Sequence, residues 1–222
     1  PIQSLDQLHV QAALAYDLLL DLVVQLGQQH CGLFRFRDPG ELGEGDYCTR
    51  APCFGPWDGS LATMHRYKLG GTKPVASCIT KLDTAYMGDV SRLLDVCRET
   101  LYFDRLSDIE ACLNSIWTNK SIEVVRVKST MSLDLADPSS SSLLFAGYRF
   151  VSVSLRLNGI SWANTLAVDT HICELLLVPT SVAKVQIPAF RAAYREWRTH
   201  KRSRMNAARL IKGFGKLLVC GG

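Results

Sequence analysis

The order of its periodic segments constrains the fold of this chain more than any other feature. Apolar residues recur at helical spacing over residues 4–29, and Ser4 or Asp6 is placed to cap that helix. Strands are predicted at 33–37, 97–103, 122–127, 148–157 and 171–178, and Asn158-Gly159 is typical of a hairpin turn. Further helices are predicted at 73–87, from a cap at Ser107 to 117, and from 181 to about 200. This order predicts an α/β (α+β) fold, in which helices flank a mixed sheet of about five strands.

We expect one domain made of stretches with different compositions. Residues 1–72 comprise the N-terminal helix and an irregular segment at 31–72, residues 73–200 hold the core, and residues 201–222 form a basic tail. The chain is 47% hydrophobic and 21% charged, which is typical of globular domains. Its net charge of +4 is a mild basic excess that suits anionic ligands.

The apolar N-terminal run is interrupted by Asp21, so we expect no membrane-spanning segment and no membrane partner. The first residue is Pro1, which indicates a processed or excised form, and we expect a cytoplasmic location.

The eight cysteines contain no C-x-x-C pair, and we therefore expect no zinc site. Buried free thiols are expected where cysteines lie within apolar periodic runs. Those positions are Cys78, Cys97, Cys112 and Cys173. Another group lies in the loop-rich stretch and would be able to pair in an oxidising compartment. That group is Cys31, Cys48 and Cys53.

A basic helix and a nearby carboxylate are candidates for phosphate and metal binding. Lys73, Ser77 and Lys81 are spaced by four residues from the start of a predicted helix, whose free backbone N–H groups favour anions. Asp95 precedes the strand at 97–103 and would be able to hold Mg²⁺, which prefers carboxylates plus substrate phosphates. The alternatives are a solvated basic helix face and an Asp that is paired with Arg98.

Two later strands also carry unusual polar residues. Tyr148 and Arg149 open a strand after a Ser-rich loop, and an exposed Tyr ring offers a stacking platform for a base. Glu174 lies within the apolar strand 171–178, where a carboxylate is costly unless it is paired or ligates a metal. The alternatives are an ordinary strand Tyr and a structural ion pair.

Taken in order, these segments resemble the synthetase motifs of the RelA/SpoT-type nucleotidyltransferases. The similarity covers about residues 60–200 and includes the basic-helix pattern, the Asp before a strand, the lysine of the next strand, the G-Y-R strand and the Glu of a later strand. The matched positions are Lys73, Ser77, Lys81, Asp95, Lys128, Gly147-Tyr148-Arg149 and Glu174.

The resemblance implies a nucleotidyltransferase-like fold and the transfer of pyrophosphate from ATP to the 3′-hydroxyl of a nucleotide acceptor, with guanine nucleotides favoured and Mg²⁺ as cofactor. It makes Asp95 and Glu174 the catalytic carboxylates and metal ligands, and it places the acceptor base on Tyr148. The remaining implied nucleotide-binding residues are Lys73, Ser77, Lys81, Arg98, Lys128 and Arg149.

Two other classes of function stay open from the sequence. Ser152 stands where the family usually has His, and Leu176 where it usually has Gln, which favours a non-catalytic nucleotide-binding or regulatory module. The basic arm that begins at Arg191, with Tyr194 and Trp197 interleaved, suits an RNA-directed enzyme or binder. The plain alternative for that arm is a solvated helix face and tail.

Overall fold

A computed structural model describes residues 2, 4–37, 51–131, 148–185, 192–194, 196–197 and 200. It has an α+β architecture with short irregular connections. The helices are α1 (Leu5–Gln29), α2 (Leu61–Met64), α3 (Val75–Lys81), α4 (Leu106–Thr118), α5 (Ser161–Thr165) and α6 (Thr180–Lys184). The strands are β1 (Phe34–Arg35), β2 (Phe54–Gly55), β3 (Cys97–Phe103), β4 (Glu123–Ser129), β5 (Val151–Arg156) and β6 (Cys173–Pro179).

The main sheet has four strands in the order β3-β6-β5-β4. Strands β3 and β6 are parallel, whereas β5 is antiparallel to both β6 and β4. The mixed sheet predicted from the sequence is therefore confirmed. The strand predicted at 33–37 does not join it, because only Leu33 bridges to Tyr102 of β3 before β1 turns away to pair with β2.

One face of this sheet forms the core. Helices α1 and α4 pack mainly against β3 and β6. Alternation along β3 buries Cys97, Glu99, Leu101 and Phe103 on this face and leaves the residues between them partly exposed. By length and composition α1 is apolar enough to cross a membrane, but 50% of its apolar window is buried inside the protein, as in a core helix.

The strand predicted at 122–127 is β4, but the prediction that it is buried was wrong. Strand β4 is the last strand of the sheet, and most of its residues are exposed. Val125 and Val127 keep 39% and 45% of their surface in contact with solvent. Val127 is the register partner of the buried Val153 and so lies on the core side of the sheet, but α1 and α4 pack mainly against β3 and β6 and leave β4 exposed. The sequence alone does not reveal which strand lies at an edge.

Two predicted boundaries also need correction. Asn158-Gly159 was expected to form a hairpin turn, but α5 follows it, and β6 begins only at Cys173. Gly159 is instead required by a close approach, since an added Cβ would lie 2.5 Å from the Cα of Ser121. Helix α4 follows Arg105, which makes no capping hydrogen bond, so the predicted cap at Ser107 lies inside the helix.

Several expectations fall outside the described residues. They concern residues 132–146 of the Ser-rich loop predicted at 129–146, Cys48, most of the predicted helix beyond 185 and the basic tail at 201–222. Cys31 and Cys53 are described, and both are exposed free thiols.

Candidate functional site

Asp95 is the centre of an ion-pair cluster beside the start of β3. Its Oδ2 atom lies 2.6 Å from Nζ of Lys73 and 2.8 Å from Nζ of Lys81. The backbone positions the first lysine, because Lys73 N–H donates to the carbonyl of Val96 at 2.8 Å. The alternative considered from the sequence was an ion pair between Asp95 and Arg98. That pair does not form, because Oδ2 of Asp95 binds the two lysines instead.

This cluster carries more positive than negative charge. Burial alone would raise the pKa of Asp95, but the ammonium groups of Lys81 and Lys73 outweigh it and lower that pKa to about 2. Burial lowers the pKa of Lys73 in spite of its carboxylate partner. Two ammonium groups against one carboxylate leave a net charge of +1, which suits a phosphate. Ser77 is exposed on α3 and has no side-chain hydrogen bond to the described residues.

A second set of polar side chains runs across the sheet on the face opposite α1 and α4. We call this the polar face. Arg98 of β3 is the register partner of Glu174 of β6, and Glu174 is in turn the partner of Ser154 of β5. On the next pair of strands, Lys128 of β4 is the partner of Ser152 of β5. Since partners in register point to the same side, these residues share one face.

Glu174 is held within the polar face by a hydrogen bond. The Ser152 hydroxyl donates to Oε1 of Glu174 at 2.8 Å. Among the described residues Glu174 has no ion pair, so the structural ion pair considered from the sequence is not observed. The hydrogen bond from this hydroxyl offsets part of the free-energy cost of burying the carboxylate. Ser152, which departs from the family pattern, therefore contacts the predicted catalytic carboxylate directly.

The ion-pair cluster and the polar face meet at the start of β3. Arg98 is the second residue of β3 and lies three residues after Asp95 in the chain. Its N–H donates to the carbonyl of Gly71 at 3.3 Å, and its positive charge contributes to the lowered pKa of Lys73. Gly70 permits this approach, because a Cβ there would clash with the carbonyl oxygen of Arg98.

Tyr148 and Arg149 precede β5, whose first residue pairs with Leu177 of β6, so they lie at the end of the sheet away from Asp95. Tyr148 is four residues before Ser152, which corresponds to about 13 Å along an extended strand. Its ring is half-buried and stacks on Tyr194, with ring centroids 6.0 Å apart. Tyr194 in turn stacks on Trp197 at 5.8 Å, so Tyr148 begins an aromatic ladder. Gly147 lies outside the described residues.

Sequence reasoning missed two buried polar groups behind the polar face. Glu99 of β3 accepts hydrogen bonds from the Tyr16 hydroxyl at 2.6 Å and from Gly70 N–H at 2.9 Å, and burial raises its pKa. The signal was available, because Glu99 interrupts an apolar strand just as Glu174 does. His171 is buried on the same side of the sheet, and burial lowers its pKa to about 4.

Comparisons with known proteins give similarity to solved structures only. The small alarmone synthetase 1 from Bacillus subtilis, bound to its product pppGpp, is 16% identical over 66% of this chain and 74% of that chain, with a TM-score of 0.40. The same synthetase in a second structure is 15% identical, covering 65% of this chain and 78% of that one, with a TM-score of 0.39. The protein smu.1046c from Streptococcus mutans UA159 is 12% identical, covering 67% and 75%, also with a TM-score of 0.39. No protein family and no curated protein matches the chain.

Proposed function

We propose that this protein transfers pyrophosphate from ATP to the 3′-hydroxyl of a nucleotide acceptor, with a guanine nucleotide favoured. The observation that carries the proposal is the polar face. There the strand register sets Glu174 between Arg98 on one side and Ser154 on the other. The Ser152 hydroxyl donates to Glu174, and the Asp95 cluster lies next to Arg98. Of these residues, Asp95, Arg98 and Glu174 are among those that the motif resemblance selects from the sequence.

The lysine cluster supplies the binding site for the triphosphate. Lys73 and Lys81 present two ammonium groups that share a single carboxylate, so both keep donors for phosphate oxygens. Their partial burial strengthens such contacts relative to those of exposed lysines. Arg98 adds a third positive charge between this cluster and Glu174.

The residues present fit Mg²⁺ as a cofactor. Oδ1 of Asp95 is buried and has no hydrogen-bond partner among the described residues, which leaves a carboxylate oxygen available as a ligand. Glu174 uses Oε1 for the Ser152 hydroxyl, and its other oxygen forms no hydrogen bond or ion pair with the described residues. When bound, Mg²⁺ would neutralise charge on the phosphate oxygens.

In the proposed reaction the acceptor's 3′-oxygen attacks the β-phosphorus of ATP in line with the leaving group. A new P–O bond forms, the bond from the β-phosphorus to the α–β bridging oxygen breaks, and AMP leaves with that electron pair. The Glu174 carboxylate takes the proton of the 3′-hydroxyl, and the Ser152 hydroxyl holds that carboxylate in place. Positioning and charge neutralisation supply most of the catalysis, with Lys73, Lys81 and Arg98 facing the phosphates.

The test is a transfer assay with Mg²⁺, γ-labelled ATP and, in turn, GDP, GTP, an adenine nucleotide and a short RNA. We expect a labelled pyrophosphorylated nucleotide, and Glu174→Gln should lower its rate by roughly 10²- to 10⁴-fold. Glu123→Gln is the matched control, since Glu123 is an exposed carboxylate on β4 whose ion-pair partner is Arg156. Equal loss in both variants, or full activity in Glu174→Gln, would contradict the role of Glu174.

A non-catalytic nucleotide-binding module is the second candidate, and the aromatic ladder favours it. Tyr194 lies against the ring of Tyr148, where an acceptor base is expected to stack. This candidate predicts that ATP or a guanine nucleotide binds without turnover. Transfer of label to the RNA alone would instead support the RNA-directed alternative, and binding that weakens steeply with salt would accompany it.

A further inference from the structure

Three side chains of the types that can ligate a metal ion lie together on the core side of the sheet. Cys97 of β3 and Cys173 of β6 are direct register partners, and His171 precedes β6 by two residues. One ligand atom from each of the three lies within 4.8 Å of the others, and all three residues are buried. We call this group the Cys₂His cluster.

Hydrophobic packing does not account for His171. Only 3% of its surface is exposed, and neither ring nitrogen has a hydrogen-bond partner among the described residues. Burying polar nitrogens without partners costs free energy, and such groups are rare in folded proteins. An imidazole that lies beside two thiols and has no other partner among the described residues has the surroundings of a metal ligand.

The separations are close to those of a metal site. Zn²⁺ binds thiolate sulfur at about 2.3 Å and imidazole nitrogen at about 2.0–2.1 Å, so tetrahedral ligand atoms lie roughly 3.5–3.8 Å apart. The observed limit of 4.8 Å requires the ligand atoms to approach one another by at most about 1.3 Å. Two sulfurs and one nitrogen are also the donor set that selects Zn²⁺ over Mg²⁺ or Ca²⁺.

Although the cysteine spacing alone predicted no zinc site, we propose that Cys97, His171 and Cys173 form a buried three-ligand site for Zn²⁺, with water as the fourth ligand. The ion would replace the missing partners of His171 and would tie the beginnings of β3 and β6 together. Because Cys97 and Cys173 are followed directly by the register partners Arg98 and Glu174, the site lies behind the polar face. Since the ligands are buried, the ion would enter while the chain folds.

The first test is the metal content of the full chain purified in the presence of a thiol reductant. We expect about one Zn²⁺ per chain in the native protein, and less than about a tenth of that in Cys97→Ala and in Cys173→Ala. Cys112→Ala is the matched control, because Cys112 is equally buried but lies in α4, outside the cluster. It should retain the zinc.

A second measurement tests the proposal on the native chain, so that it does not depend on whether the cysteine variants fold. The native chain is unfolded with a chelator and refolded with Zn²⁺, with Co²⁺ or with no metal. Zn²⁺ at about 100 times its Kd should raise the melting temperature by roughly 5–10 °C, and Co²⁺ should produce a thiolate charge-transfer band. Replacing His171 with Ala should weaken both effects.

Three results would overturn the proposal. One is native protein without zinc whose melting temperature does not respond to Zn²⁺ on refolding. Another is zinc that Cys97→Ala and Cys173→Ala retain as fully as Cys112→Ala does. The third is a disulfide between Cys97 and Cys173, detected by alkylation and peptide mapping of the native chain.

Discussion

Replacing Asp95 with Asn should reveal how much the ion-pair cluster contributes to stability. The side chains of Lys73, Lys81 and Asp95 are only 10%, 14% and 16% exposed, so water screens their interaction weakly. Asn has nearly the volume of Asp, and the substitution therefore removes the charge while it preserves the packing. It leaves two ammonium groups near each other without a counter-charge.

The magnitude follows from the pKa of Asp95. In the folded state this pKa is about 2, against an ordinary value of 3.8, a difference of about 1.8 that corresponds to about 2 kcal/mol. Because the folded-state pKa is the lower one, the stabilisation is present above pH 3.8 and is lost as the pH falls towards 2. Repulsion between the uncompensated lysines raises the expected loss in Asp95→Asn to roughly 2–4 kcal/mol at neutral pH.

Thermal unfolding followed by circular dichroism measures this loss. Asp95→Asn should melt roughly 5–15 °C below the native protein at neutral pH, and the gap should narrow as the pH approaches about 3. Asp108→Asn is the control, because Asp108 is also 16% exposed but its partner Arg105 is 70% exposed. That variant should lose less than about 1 kcal/mol. Equal losses in the two variants, or a gap that does not change with pH, would refute the reasoning.

Three further predictions test other parts of the molecule. Burial raises the pKa of Glu99, so native stability should fall as the pH rises through that pKa, and Glu99→Gln should remove this dependence in melts across the pH range. Gly159→Ala should lower stability in urea by roughly 1–3 kcal/mol, because its Cβ would meet Ser121, and an unchanged midpoint would contradict that contact. Lys81→Ala should weaken ATP binding roughly tenfold or more in calorimetry, whereas Lys120→Ala, an exposed lysine elsewhere, should not.

Most of the secondary structure could be predicted from local periodicity. The helix predicted at 4–29 and the strand at 97–103 are α1 and β3, and their bounds agree within one or two residues. These elements have regular apolar spacing, which depends only on residues close together in the chain. The errors arose where a residue typical of a local turn is required by a contact with a distant part of the chain. Gly159 looked like a hairpin residue, but it is required by the approach of Ser121.

Some residues of the candidate site could also be predicted from the sequence. Glu174 was conspicuous as a charge in an apolar strand, and the spacing of Lys73 and Lys81 indicated an anion-binding face. Glu99 carried the same signal as Glu174 but matched no motif. Periodicity identifies which side chains are unusual, but it does not reveal which of them meet.

What the sequence determined by itself was the set of helices and strands and the polar residues that do not suit them. The tertiary structure alone decided their partners. The parallel pairing of β3 with β6 brings Arg98 beside Glu174 and Cys97 beside Cys173, although each pair is separated by 76 residues in the chain. The position of β4 at the sheet edge was decided in the same way. Strand pairing depends on contacts between distant segments, and no local pattern encodes which segments become neighbours.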